Sequence, residues 1–174
     1  MLNILTTNDE GFVMSSCFFI GHREADENIV PALAGAIERH ICDFGVSEFI
    51  VGCYGAFDRM AAHQLSLAKM RYPHISLLLL SAYHPSERKI HLPEGFDSAF
   101  YPLGLEKVPK RFAIVRANKY MVKRCEYLIA YVWRTASNAG NLLEYAEKLR
   151  EQGKMHIENL AESICNKDFY SPLK

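Results

Sequence analysis

Residues 48–58 of the chain read EFIVGCYGAFD. The apolar run EFIV predicts a short buried strand, and Gly52 and Gly55 predict a loop after it. A helix is then indicated from about Phe57 to Tyr72, because apolar residues recur there at helical spacing. The next apolar run, ISLLLL at residues 75–80, is apolar on both faces, as buried parallel strands are. The order strand, helix, strand predicts a right-handed βαβ unit.

The same alternation continues on both sides of this unit. Further strands are predicted at Ser16–Ile20, Glu126–Val132 and Met155–Ile157, and further helices at Ile29–Ile41, around Arg111–Lys123 and at Asn141–Gln152. We therefore expect an α/β fold, a Rossmann-like three-layer α/β/α sandwich with a mostly parallel central sheet of five or more strands. Residues 1–14 are polar and irregular and are expected to form a flexible leader, with a single domain at 15–174.

The segment from Tyr83 to Pro109 is richer in proline, glycine and charge than its surroundings. We interpret it as a long connection that can hold a short edge strand near Ala99–Tyr101. Connections of this length without structure are uncommon in compact domains. A lid over the site, a dimer contact, and an additional strand and turn remain alternatives for it.

Composition limits the classes of partner. The chain has 174 residues, with 20 basic and 20 acidic side chains and no net charge, which makes binding to nucleic acid an unfavoured reading. Five scattered cysteines, no signal segment and no apolar run of bilayer length predict a cytoplasmic protein that does not bind membranes. His84 and His91 lack a clear third ligand, so we expect no metal, and no cofactor is indicated.

The loops that follow the strands carry the candidate ligand-binding residues, because parallel sheets bind ligands beyond the carboxyl ends of their strands. The candidates in these three loops are Gly21, His22 and Arg23, then Gly52, Tyr54, Gly55 and Asp58, then Ser137, Asn138, Gly140, Asn141 and Glu144.

These residue types suit an anionic ligand. Arg23 offers a planar fork of donors for phosphate or carboxylate, and glycine-bearing loops at helix starts present backbone N–H groups to an anion. His22 can donate to phosphate or transfer a proton. Each feature also has an ordinary structural explanation: a turn-capping His22, a carboxylate at Asp58 that complements a helix dipole, and a helix cap paired with Glu144.

Four segments resemble the SLOG superfamily, the Rossmann-like group that contains the Lonely Guy phosphoribohydrolases and the DNA-processing proteins of transformation. The likeness is to its small bacterial branch. The four segments are FFIGHR at residues 18–23, FIVGCYGAFD at residues 49–58, ANKYMV at residues 117–122 and SNAGNLLEYA at residues 137–146. The phosphoribohydrolases carry Pro-Gly-Gly-x-Gly-Thr-x-x-Glu in the last of these, where only Gly140 and Glu144 match here.

The resemblance implies a nucleotide-like phosphorylated ligand, a contribution from Asn118 to its site, and self-association into a homo-oligomer. If the protein is an enzyme, the resemblance implies a nucleotide N-glycosidase or phosphoribohydrolase-like hydrolase. In that case paired carboxylates suggest Glu144 as the first catalytic candidate and Asp58 as the second. A non-catalytic nucleotide-sensing module and a single-stranded DNA-binding protein are the alternatives, and the second rests on likeness of fold alone.

Overall fold

The computed structural model describes residues 15–162. The strands of the central sheet are β1 (Ser16–Gly21), β2 (Glu48–Val51), β3 (Ser76–Leu80), β4 (Ser98–Phe100), β5 (Tyr127–Tyr131) and β6 (His156–Asn159). The α-helices between them are α1 (Val30–Cys42), α2 (Ala56–Arg71), α3 (Ala113–Arg124) and α4 (Asn138–Glu151). The predicted leader at residues 1–14 lies outside the described residues.

The six strands form one parallel sheet in the order β4-β3-β2-β1-β5-β6. Phe18 of β1 lies opposite Ile50 on one side and Leu128 on the other, so β1 is an interior strand. The chain builds the sheet outward from β1 in one direction and then returns to add β5 and β6 on the other side. The strand order therefore reverses between β1 and β5. The predicted Rossmann-like α/β fold is confirmed.

Helices cover both faces of the sheet because successive strand residues point to opposite sides. Phe19 packs with residues of α1 and α2, such as Leu33 and Leu65, in one buried cluster. Phe18 packs with residues of α3 and α4, such as Val122 and Ala146, in the other. These two apolar layers make the predicted three-layer sandwich.

The segment from Tyr83 to Pro109 contains the short edge strand that the sequence placed near Ala99–Tyr101; this strand is β4, at Ser98–Phe100. β4 pairs with β3, and Asp97 stabilises this edge. The Asp97 carboxylate accepts a hydrogen bond of 2.8 Å from the Leu77 N–H and forms an ion pair with Lys69 Nζ at 2.7 Å. A short 3-10 helix at Lys110–Phe112 then leads into α3.

The predicted boundaries shift by a few residues at several elements. The largest functional consequence is at α4, which begins at Asn138, whereas the sequence pattern placed its start at Asn141. No helix within residues 15–162 is long and apolar enough to cross a membrane.

Candidate functional site

A cleft of about 350 Å³ lies beyond the carboxyl ends of β1, β2 and β5. This is where the strand order reverses, the position at which open α/β sheets bind their ligands. Ten of the sequence-predicted site residues line the cleft: Gly21, His22, Arg23, Gly52, Tyr54, Gly55, Asp58, Asn118, Ser137 and Asn138.

The structure does not bring the remaining three predicted residues to this cleft. Gly140 and Glu144 line a second cavity of about 660 Å³, and Asn141 lines neither. Glu144 lies two helical turns after the start of α4 because the helix begins earlier than predicted. Its exposed carboxylate forms an ion pair with Lys148 Nζ at 2.9 Å, so it is neither a cleft residue nor the capping partner of the helix.

The loops after β1 and β2 are tied together at Arg23. The Ala56 N–H at the start of α2 donates a hydrogen bond of 2.9 Å to the Arg23 carbonyl oxygen. A Cβ atom at position 55 would lie 3.1 Å from Arg23 Cα, so a larger residue than Gly55 would push the loops apart. Arg23 is thereby held beside the N-terminus of α2, where an anion is favoured.

Asp58 organises the glycine loop from within the first turn of α2. Its Oδ2 accepts a hydrogen bond of 2.9 Å from the Tyr54 N–H, and a Cβ atom at Gly52 would lie 2.9 Å from the same oxygen. Burial raises the pKa of Asp58 from 3.8 to about 6, although bonds from the Tyr54 and Gly55 N–H groups lower it. A carboxyl group with this pKa exchanges a proton readily near neutral pH.

His22 joins the end of β1 to the end of β5. Its buried imidazole accepts hydrogen bonds at Nε2 from the Trp133 N–H, at 3.2 Å, and from the Arg134 N–H, at 3.1 Å. Burial lowers the pKa of His22, and the Arg134 charge lowers it further while Glu24 raises it. The ring is therefore neutral with its proton on Nδ1. This geometry agrees with the turn-capping explanation of His22.

The start of α4 closes the third side of the cleft. Ser137 is the N-cap, accepting a hydrogen bond of 2.9 Å from the Gly140 N–H and donating one of 2.8 Å to the Arg134 carbonyl oxygen. A Cβ atom at Gly140 would lie 2.1 Å from the Thr135 carbonyl oxygen. Packing of the loop on the helix therefore explains Gly140 without any ligand.

Two arginines of the cleft were missed by the sequence reasoning. Arg134 lies in the loop after β5, three residues beyond Tyr131, and the strand-end rule applied to each charged residue of that loop would have found it. Arg111 comes from the 3-10 helix before α3; the sequence pattern included it in the predicted helix but gave no reason to place it at the cleft. Each guanidinium lies over an aromatic ring that is exposed: Arg111 is 4.7 Å from the Phe112 centroid, and Arg134 is 5.6 Å from the Trp133 centroid.

Part of the cleft wall, at α3 and α4, is apolar. Ile114 and Val115 of α3 and Leu142 of α4 line it, and Asn118 adds one amide group. The cleft thus combines arginines and glycine-bearing loops with a smaller set of apolar side chains, a combination that suits a small-molecule site.

Comparisons with known proteins define the class of fold. No protein-family model matches the chain, and the search of curated proteins gave no significant match. Among solved structures, the chain is similar to DNA processing protein A (DprA) from Streptococcus pneumoniae, with a TM-score of 0.57 and 13% sequence identity. The match covers 83% of this chain and 49% of that chain, so this chain spans about half the length of that protein. The likeness shows a Rossmann-like fold of the DprA type.

Proposed function

We propose that the cleft binds a nucleotide or another nucleotide-derived phosphorylated ligand. The observation that carries the proposal is the convergence of Arg23, Arg111 and Arg134 on one cleft at the reversal of strand order. Arginine recognises phosphate through parallel N–H donors, and this position in the sheet is where such ligands bind.

The phosphate end of the ligand fits the glycine-rich side. Arg23 would hold the phosphate at the start of α2, where Gly52 and Gly55 line the cleft without side chains, and Asn138 would add donors at the start of α4 beside the Ser137 cap. Both helix ends carry partial positive charge, which adds to the attraction.

The base end fits the apolar wall. An aromatic base would lie against Ile114, Val115 and Leu142, with Asn118 as a donor or acceptor for its edge. Burying one face of a ring against aliphatic side chains stabilises the complex through the hydrophobic effect.

The chemistry that this cleft suits is hydrolysis of the N-glycosidic bond between sugar and base. The Asp58 carboxylate would take a proton from a water molecule as the water oxygen bonds to the anomeric carbon. The carbon–nitrogen bond then breaks, and the departing base takes up a proton from solvent. Asp58 replaces Glu144 as the first catalytic candidate because Asp58 lines the cleft and Glu144 does not.

Chromatography of candidate ligands after incubation with the protein tests this reaction. The proposal predicts release of free base at a rate proportional to protein concentration, a loss of at least about a hundredfold in Asp58→Asn, and an unchanged rate in Glu144→Gln. Intact ligand recovered from a protein that binds it would instead favour the non-catalytic nucleotide-sensing module.

Binding of single-stranded DNA is the second candidate. The exposed face of α3 carries four basic residues, Arg116, Lys119, Lys123 and Arg124. Their arrangement gives a local positive patch on a chain without net charge. If this patch binds DNA through phosphates, affinity must fall steeply with salt concentration, and an affinity without salt dependence would exclude it.

A further inference from the structure

An ion pair crosses the mouth of the cleft between the loops after β1 and β5. Arg134 Nη2 lies 2.9 Å from Glu24 Oε2, and both residues line the cleft. The Glu24 side chain is 83% exposed, so its carboxylate is also free to face water alone. The pair therefore occupies one of the three guanidinium groups that the proposed ligand would use.

The two partners differ in how firmly they are held. The Arg134 N–H is bonded to the buried His22 ring, and its guanidinium lies over Trp133. Within residues 15–162, the ion pair with Arg134 is the one hydrogen-bonded contact of the Glu24 side chain. Exposed carboxylate–arginine pairs are weak, whereas phosphate can bond arginine through two parallel N–H donors. Exchange of Glu24 for a phosphate is therefore favourable, and the arginine need not leave its place.

We propose that Glu24 is a positioning residue that holds Arg134 across the mouth of the cleft until the anionic group of the ligand displaces it. This inference rests on the proposed function, because it requires a phosphorylated ligand in the same cleft. Glu24 then competes with the ligand, and its charge also repels the incoming phosphate. Removing that charge strengthens anion binding, although an ion pair of the folded protein is lost.

Titration calorimetry with inorganic phosphate and with adenosine 5′-monophosphate, at low and high salt, tests the inference on the full chain. Glu24→Gln removes the charge, Glu24→Asp keeps it, and Glu147→Gln removes an equal charge from an exposed pair with Arg150 outside the cleft. We expect Glu24→Gln to tighten binding of either probe by about threefold or more at low salt. The gain should vanish at high salt, and the other two variants should bind like the wild-type protein.

The outcomes separate the two proposals. Wild-type binding with no gain in Glu24→Gln, or an equal gain in Glu147→Gln, overturns the role of Glu24 and leaves the proposed function standing. Absence of binding of both probes to every variant overturns the role of Glu24 and also removes the support for a phosphate-binding cleft. Weaker binding in Glu24→Gln would mean that Glu24 assists the ligand, which also contradicts the inference.

Discussion

The Nε2 atom of His22 accepts a hydrogen bond of 3.1 Å from the backbone N–H of Arg134. These residues follow β1 and β5, the two strands between which the order of the sheet reverses. A neutral imidazole thus joins the two loops that open the cleft and fixes the main chain of one of its arginines. The histidine that looked most like a proton-transfer group is committed to holding the site together.

Replacing His22 should destabilise the protein in a pH-dependent way. His22→Phe leaves the part-buried N–H groups of Trp133 and Arg134 without an acceptor, which predicts a loss of about 1 kcal/mol in the free energy of unfolding at pH 8. The folded pKa of His22 lies below 6.5, so the wild-type contribution is complete above pH 6.5 and declines as pH falls through 6.5 towards the folded value. Urea unfolding should show that the wild-type protein and His22→Phe differ less in free energy of unfolding at pH 5.5 than at pH 8. The same difference in free energy of unfolding at both pH values would contradict the role of His22 as a neutral hydrogen-bond acceptor.

Asp58→Asn should have the opposite pH dependence. The folded pKa of about 6 lies above 3.8, so the protonated carboxyl group is favoured in the folded state, and stability is lost as pH rises through about 6. An asparagine has no such transition. Between pH 5 and pH 8 the stability of the variant relative to wild type should therefore rise by about 1 kcal/mol. Urea unfolding curves of both proteins at pH 5 and pH 8 measure this change. A difference in free energy of unfolding that is the same at both pH values would mean that Asp58 is not held in a desolvating site.

Two glycine-to-alanine substitutions should act in opposite directions. Gly140→Ala places a methyl group against the Thr135 carbonyl oxygen, where backbone must move, so we expect a loss on the order of 2–3 kcal/mol. Gly35→Ala, inside α1, meets only the flexible Arg39 side chain at 3.4 Å and should stabilise the helix by about 0.5–1 kcal/mol. Thermal unfolding of both variants and of the wild-type protein tests these two predictions. Equal effects would show that the loop before α4 is not tightly packed.

Much of this architecture follows from local patterns. The stretch at residues 48–58 predicted a strand, a glycine loop and a helix, and all three are present because buried strands and helix starts are specified locally. Gly52, Tyr54 and Gly55 of its loop also line the cleft, as the strand-end rule predicts.

The failures have physical causes that a sequence pattern does not contain. Glu144 was misplaced because α4 begins three residues before the predicted Asn141, directly after the Ser137 cap, which puts Glu144 beyond the first turn of the helix. Arg111 was missed because it reaches the cleft from a 3-10 helix in the connection after β4. Its position depends on the tertiary path of the chain, which local spacing does not specify.

Self-association remains a prediction from the family resemblance. Light scattering on the purified chain measures its mass in solution directly. A mass above that of one chain, constant on dilution through the micromolar range, is the expected result, and the mass of a single chain at all concentrations would refute it.

The central claim is that Arg23 and its neighbours bind a phosphorylated nucleotide-like ligand. A thermal-unfolding screen against nucleoside mono-, di- and triphosphates, dinucleotides and ADP-ribose derivatives, run on wild type and Arg23→Ala, tests it most directly. We predict that at least one compound stabilises the wild-type protein, by about 2.7 kcal/mol at a hundredfold excess over its dissociation constant, and that Arg23→Ala abolishes the effect. No stabilisation by any compound, or an equal effect in Arg23→Ala, would contradict the claim.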